Sequence, residues 1–201
     1  FLATLSGHYA KNFNEKDTYE FCPQPLEFVS HQSIPFLLED NEALRLQLLV
    51  DINNADINDR KQSRLFYGTQ SAGNLFKRNE SSFKALELGL KEAISKYYDL
   101  YKNEDCEFIK SFPKQIEFSS SWFVKMQSGG HLTSHIHEDG WISGAIYLSI
   151  PKKTKTQDEG AIELSTHGDD YPIINDDFPK KVIKPKEGDV IFFPSSVFHR
   201  T

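Results

Sequence analysis

Val190-Ile191-Phe192-Phe193-Pro194-Ser195-Ser196-Val197-Phe198-His199 sets two short apolar runs on either side of a Pro-Ser-Ser break. Runs this short, rich in β-branched and aromatic residues and bounded by Gly or Pro, predict strands over Val190–Phe193 and Val197–His199. The turn at Glu187-Gly188-Asp189 opens the first of them. Working outward, Ala161–Leu164 and Val182–Lys184 have the same texture, and Ile142–Ile150 is strongly β-like until Pro151 ends it. Residues 115–127, with Phe118, Trp122, Phe123, Val124 and Met126, read as a long or bent strand that Gly129-Gly130 turns toward His131–His137. Lys152–Glu159 is a polar loop. Many short strands with turns at this spacing predict a sandwich, a jelly roll or a barrel.

Upstream the pattern is helical. Phe83, Leu86, Leu90, Ile94, Tyr97 and Tyr101 fall on one stripe, with Lys84, Glu87, Lys91 and Glu92 off it, so a helix near residues 81–102 should bury that stripe against the sheet. Asn79, Ser81 and Ser82 are its candidate caps. Leu44, Leu48, Leu49 and Ile52 predict a shorter helix behind a cap at Asp40-Asn41. Gly68–Asn74 reads as a loop, and the first forty residues show little period, with a break at Cys22-Pro23-Gln24-Pro25. Helices first and strands later, without alternation, predict an α+β, mainly β chain. Residues 1–114 are expected to be a helical or irregular support and residues 115–201 the core, and no internal repeat is found.

At 201 residues the chain has the size of one domain, and 16 Phe can fill a sizeable core. A net charge of −6 argues against nucleic acid or an anionic membrane as the main partner, since both need a basic face. No apolar run approaches the ~18 residues of a membrane span, and no signal peptide is evident. Cys22 and Cys106 are too few and too far apart for a disulfide scaffold, which favours a reducing, cytoplasmic setting.

The chemistry concentrates at histidine. In a strand, residues i and i+2 share a face, so His135 and His137 can aim two imidazoles at one point, and His199 closes the last apolar run. If those strands face each other, three imidazoles converge on one metal, of which Fe, Zn, Cu and Ni all suit nitrogen ligands. Three protein ligands leave positions open for catalysis, whereas a structural zinc site would be closed by a fourth. His137 and Asp139 have the same spacing and with His199 would make the two-His, one-carboxylate triad of non-haem iron oxygenases. Periodicity alone leaves both sets open, although Asp139-Gly140 looks like a turn. His8, His31, His131 and His167 read as surface or hydrogen-bonded core residues.

Ser121-Trp122, Gly129-Gly130, His135-Ile136-His137, Trp141–Leu148, Gly160-Ala161-Ile162-Glu163, Gly188–Ser195 and His199-Arg200-Thr201 together resemble the Fe(II)/2-oxoglutarate oxygenases, in the branch with His-x-His where most members have His-x-Asp. The resemblance covers about residues 115–201. It implies a double-stranded β-helix (a jelly roll) with the N-terminal helices packed on one sheet. It further implies Fe(II) on His135, His137 and His199, with 2-oxoglutarate and O2 as co-substrates. The reaction implied is hydroxylation of a C–H bond in a small-molecule or protein substrate, with 2-oxoglutarate converted to succinate and CO2. Tyr147 falls where many members hydrogen-bond the co-substrate carboxylate. Trp122 and Trp141 could wall the pocket, although packing is the simpler role. The family's anchoring Arg lies about ten residues past the last ligand, so the core is expected to be C-terminally truncated; Arg200, next to His199, should point to the opposite face. Two other readings are a cupin-like three-His enzyme that does not use 2-oxoglutarate, and a non-catalytic metal-binding module.

Overall fold

A computed structural model describes residues 1–151, 158–175 and 177–201, so most of the polar loop expected at 152–159 lies outside the described residues. Among the described residues, five helices, α1 (Leu2–Phe13), α2 (Pro35–Leu38), α3 (Ala43–Asn54), α4 (Ser81–Tyr101) and α5 (Glu107–Lys110), accompany nine strands. The strands are β1 (Ser30–Ser33), β2 (Asp59–Arg60), β3 (Leu65–Ser71), β4 (Val124–Leu132), β5 (Ile142–Ile146), β6 (Ile162–Ser165), β7 (Lys180–Ile183), β8 (Asp189–Pro194) and β9 (Phe198–Arg200). They form three antiparallel sheets of three strands, ordered β1-β8-β5, β2-β3-β4 and β7-β6-β9. The chain is α+β, as its pattern predicts.

Strand β8 organises the interior. All six of its residues are buried, because both of its faces are covered. Val190 and Phe192 face a helical cluster that holds Leu37, Leu48, Phe83, Leu86, Leu90, Ile94, Tyr97 and Phe108. Ile191 and Phe193 face the other way, into a second cluster with Val29, Ile162, Leu164 and Val197. The period-2 alternation of one strand thus feeds two cores. The stripe of α4 is buried against the first of them, with Tyr97 edge-on to Phe192 at 5.9 Å between ring centroids. The Tyr97 hydroxyl donates to the Phe28 carbonyl at 2.8 Å, which satisfies the one polar atom of that ring.

Several expectations need correction. Residues 68–71 are strand, not loop: they close β3 against β4, and a Cβ on Gly68 would stand 2.8 Å from the Lys125 carbonyl oxygen. The glycine is there for that close approach. Residues 115–123 are not strand; β4 begins at Val124 and runs through Gly129-Gly130 to Leu132. Phe66 pairs with His131 and Gly68 with Met126, so residues 127–130 stand opposite Tyr67 alone. Such a bulge bends the strand and re-aims the residues beyond it. Past Leu132 the segment predicted as strand to His137 keeps only one bridge, His135 with His199. β5 stops at Ile146, short of the Ile150 expected.

The first 114 residues are also not purely helical or irregular. They supply β1 to the sheet of β8, and β2 and β3 to the sheet of β4. Helix α1 has a clear helical period, against the expectation of little period in the first forty residues, but the pattern is inverted. Thr4, His8, Ala10 and Asn12 are buried, while Leu2, Leu5, Tyr9 and Phe13 are exposed. It is docked by polar contacts, with Thr4 donating to the Ser196 carbonyl at 2.8 Å and Asn12 to that of Pro172 at 2.9 Å. The N-cap positions fall on residues other than those expected. Glu42, at φ 64, precedes α3, and Glu80 precedes α4, without side-chain capping bonds. Ser82 instead bonds the Asp51 carboxylate and ties α4 to α3.

Candidate metal centre

The two segments that carry the histidines are sewn together by their backbones. The His135 and His199 amides each donate to the other's carbonyl, at 3.1 and 2.9 Å, and the His137 N–H donates to Ser195 O at 3.2 Å. This brings the three imidazoles together, tilted or edge-on to one another. Ring centroids lie 5.4 Å apart for His135 and His137, 4.2 Å for His135 and His199, and 4.7 Å for His137 and His199. One nitrogen from each ring falls within 4.8 Å of the other two.

The Nδ1 atoms are engaged. His135 Nδ1 lies 2.8 Å from the Thr133 carbonyl oxygen and His199 Nδ1 lies 3.3 Å from that of Val197. A carbonyl only accepts, so both rings carry the proton on Nδ1 and turn an Nε2 lone pair toward the cluster. His137 Nδ1 meets Ser143 Oγ at 2.8 Å, and Ser143 is bonded in turn to Ser195 Oγ at 2.7 Å. Metal-ligating histidines are oriented in this way, by a partner on the second ring nitrogen.

Burial holds the rings neutral. His137 is pushed from the ordinary 6.5 down to about 4 by burial and by His135 beside it. Burial also lowers His135, against the raising effect of its bond to Thr133, and takes His199 well below its usual range. Between pH 4 and 6.5 the unfolded chain therefore binds more protons at His137 than the folded one, and stability rises with pH across that window. Melting of the metal-free protein should show this: Tm falls as pH drops from 6.5 toward 4, and the fall is shallower in His137→Gln. An equal slope in the two proteins would contradict the assignment.

The structure does not bring Asp139 into the cluster. Glu138 and Asp139 form an exposed turn, closed by the Gly140 N–H donating to His137 O at 3.3 Å. The other histidines stand apart. His131 stacks on Phe66, His31 bonds the Asp189 carboxylate, and His8 packs with His167. Trp122 stands edge-on to His137 at 5.5 Å, whereas Trp141 packs between Phe21 and Phe108. Tyr147 directly follows β5 and packs on the second core, on the same alternate face as Ser143. Arg200 is exposed and pairs with Glu163 at 2.9 Å, away from the cluster.

A cleft of about 320 Å³ opens onto His135 and His137. Its walls include Arg60, Arg64, Gln70, Asp169 and Tyr171, which no motif marks in the sequence. The only signal in the sequence is the alternation of Arg60, Gln62 and Arg64, a polar face at strand spacing. Among the described residues no helix is long and apolar enough to cross a membrane. No curated protein matches the chain. Residues 120–201, which contain all three histidines of the cluster, match the family model described as "Putative 2OG-Fe(II) oxygenase", and their His135-Ile136-His137 fits that family's His-x-His branch.

Proposed function

We propose that this chain is a non-haem Fe(II)- and 2-oxoglutarate-dependent dioxygenase that hydroxylates its substrate, with iron on His135, His137 and His199. The observation that carries this reading is the convergence of three neutral imidazoles whose other ring nitrogens are already bonded. In the same reading, β5 and β8 on one side of the second core and β6, β7 and β9 on the other are the halves of a double-stranded β-helix within residues 115–201, and residues 1–114 are its support and add β1 to one half. Bound iron would supply O2 activation coupled to oxidation of 2-oxoglutarate. The protein's part is orientation and dryness. Phe193, 4.8 Å from the His199 ring, keeps water from one side of the cluster, while the cleft, with Trp122 in its wall, leaves the side beside His135 and His137 open. Tyr147, on the cluster's side of β5, is the residue proposed to bond the co-substrate carboxylate. Arg200 is committed to Glu163 and does not hold its second carboxylate.

The test is succinate formation. Protein loaded with Fe(II) should convert 2-oxoglutarate to succinate on exposure to O2, and His199→Ala should not. Metal retained at one equivalent with no succinate formed would favour the cupin-like reading, which the all-nitrogen ligand set also fits. The anchoring shell gives a finer test. Ser143→Ala removes the partner of His137 Nδ1 and should weaken metal binding about 10–100-fold by chelator competition. Unchanged affinity would show that Ser143 does not orient the ring.

A further inference from the structure

We infer that the cleft beside the histidines takes a small carboxylate-bearing amide of the N-acyl amino acid type, with Arg60 on the carboxylate and Gln70 on the amide. This deepens the oxygenase reading and rests on it for the chemistry, though not for the binding. Arg60 and Gln70 are directly opposed in the antiparallel register of β2 and β3. Opposed residues project to one face with Cβ atoms about 4.5–5.5 Å apart, so both side chains can reach one small ligand.

Gln70 is the less expected of the two. It is only 3% exposed, lines the cleft, and its side-chain amide has no hydrogen-bond partner among the described residues. Its amide opens to the cleft, where a ligand can complete its hydrogen bonds. Its carbonyl can accept an N–H while its NH2 donates to a C=O, which is the complement of another amide.

Arg60 is the available cation. Its neighbour Arg64 is held by Asp169 through both terminal nitrogens, at 2.8 and 2.7 Å, and donates to the Ser134 carbonyl besides. Arg60 has no ion-pair partner among the described residues, and its planar fork suits a carboxylate. Glu138 also lines the cleft as an exposed carboxylate without an ion-pair partner among the described residues. That negative charge disfavours a second anionic group near it, so the ligand's single carboxylate is directed to Arg60. A volume of about 320 Å³ lies at the small end of ligand sites and excludes a folded partner.

N-acetyl-L-alanine is the probe, with its methyl ester as the uncharged control and 2-methylbutyrate as the carboxylate without an amide. Calorimetry on the metal-free protein measures binding, and broadening of the acetyl methyl resonance by Mn(II) in the loaded protein measures approach to the cluster. The acid should bind on the order of tenfold more tightly than either control. Arg60→Leu should erase the preference over the ester, and Gln70→Leu the preference over 2-methylbutyrate. Gln70→Glu, which keeps the shape of the side chain, should weaken the acid as well by placing a charge beside it. Equal affinity for acid, ester and 2-methylbutyrate, or an unchanged pattern in the Arg60 and both Gln70 variants, would overturn the inference. Failure to load metal or to form succinate would overturn the oxygenase reading and leave the calorimetric pattern to decide this one.

Discussion

His137→Ala should leave the protein without tight metal binding. Loss of a partner to a ligating histidine costs about 10–100-fold in affinity, so loss of the ligand itself should exceed about 100-fold. The effect is large because no other residue joins the converging set among the described residues. Glu138 and Asp139 in the turn after His137 are exposed, and neither belongs to that set. Metal content after gel filtration measures the loss, and the melting temperature of the metal-free variant separates it from unfolding. Asp139→Ala should retain a full equivalent. Full occupancy in His137→Ala, or loss of metal in Asp139→Ala with retention in His135→Ala, would replace the three-imidazole site by the carboxylate triad.

The second large effect is on stability. Phe193 is 1% exposed, packs with Ile162, Leu164 and Val197, and lies against the His199 ring. Phe193→Ala removes a full aromatic from a site with two packed walls, and should cost about 3–5 kcal/mol. For a chain of this length the melting temperature should drop by about 6–20 °C. The variant should also bind metal less tightly, because the floor under His199 becomes a void. A cost below about 1 kcal/mol in urea unfolding would mean that the second core is looser than its burial indicates.

The parts legible in the sequence were those with a strong period or a repeated residue type. The stripe of α4, the run of β8 and the three histidines all depend on side chains that must share a face. The parts that could not be read were set by long-range pairing. Ser30–Ser33 has no strand signature of its own, and it becomes β1 because β8 offers a free edge to it. Gly68–Ser71 has the composition of a loop, and β4 makes it a strand. Helix α1 has an apolar stripe at helical spacing but buries its polar side, so the stripe does not mark the face that packs. His135 and His137 converge, yet not as residues of a regular strand. The convergence comes from a bulge at residues 127–130 and from one bridge to His199. The walls of the cleft were silent for the same reason: Arg60, Gln70 and Asp169 meet there only after the chain has folded.

The order in which these pieces leave the ribosome gives β8 a further role. Synthesis delivers α4 long before Val190 and Phe192, the residues that help cover its apolar stripe. Until then the nascent chain presents that stripe uncovered, a surface that chaperones bind and that aggregates if left unshielded. The same late segment brings His199, so the third imidazole arrives only with the strand that separates the two cores. Pairing β1 with β8 then closes a loop spanning most of the chain, a slow step because such contacts are the most separated in sequence. The three imidazoles can therefore converge only after β8 and β9 have been translated, because His199 follows the scaffold that orients the other two histidines.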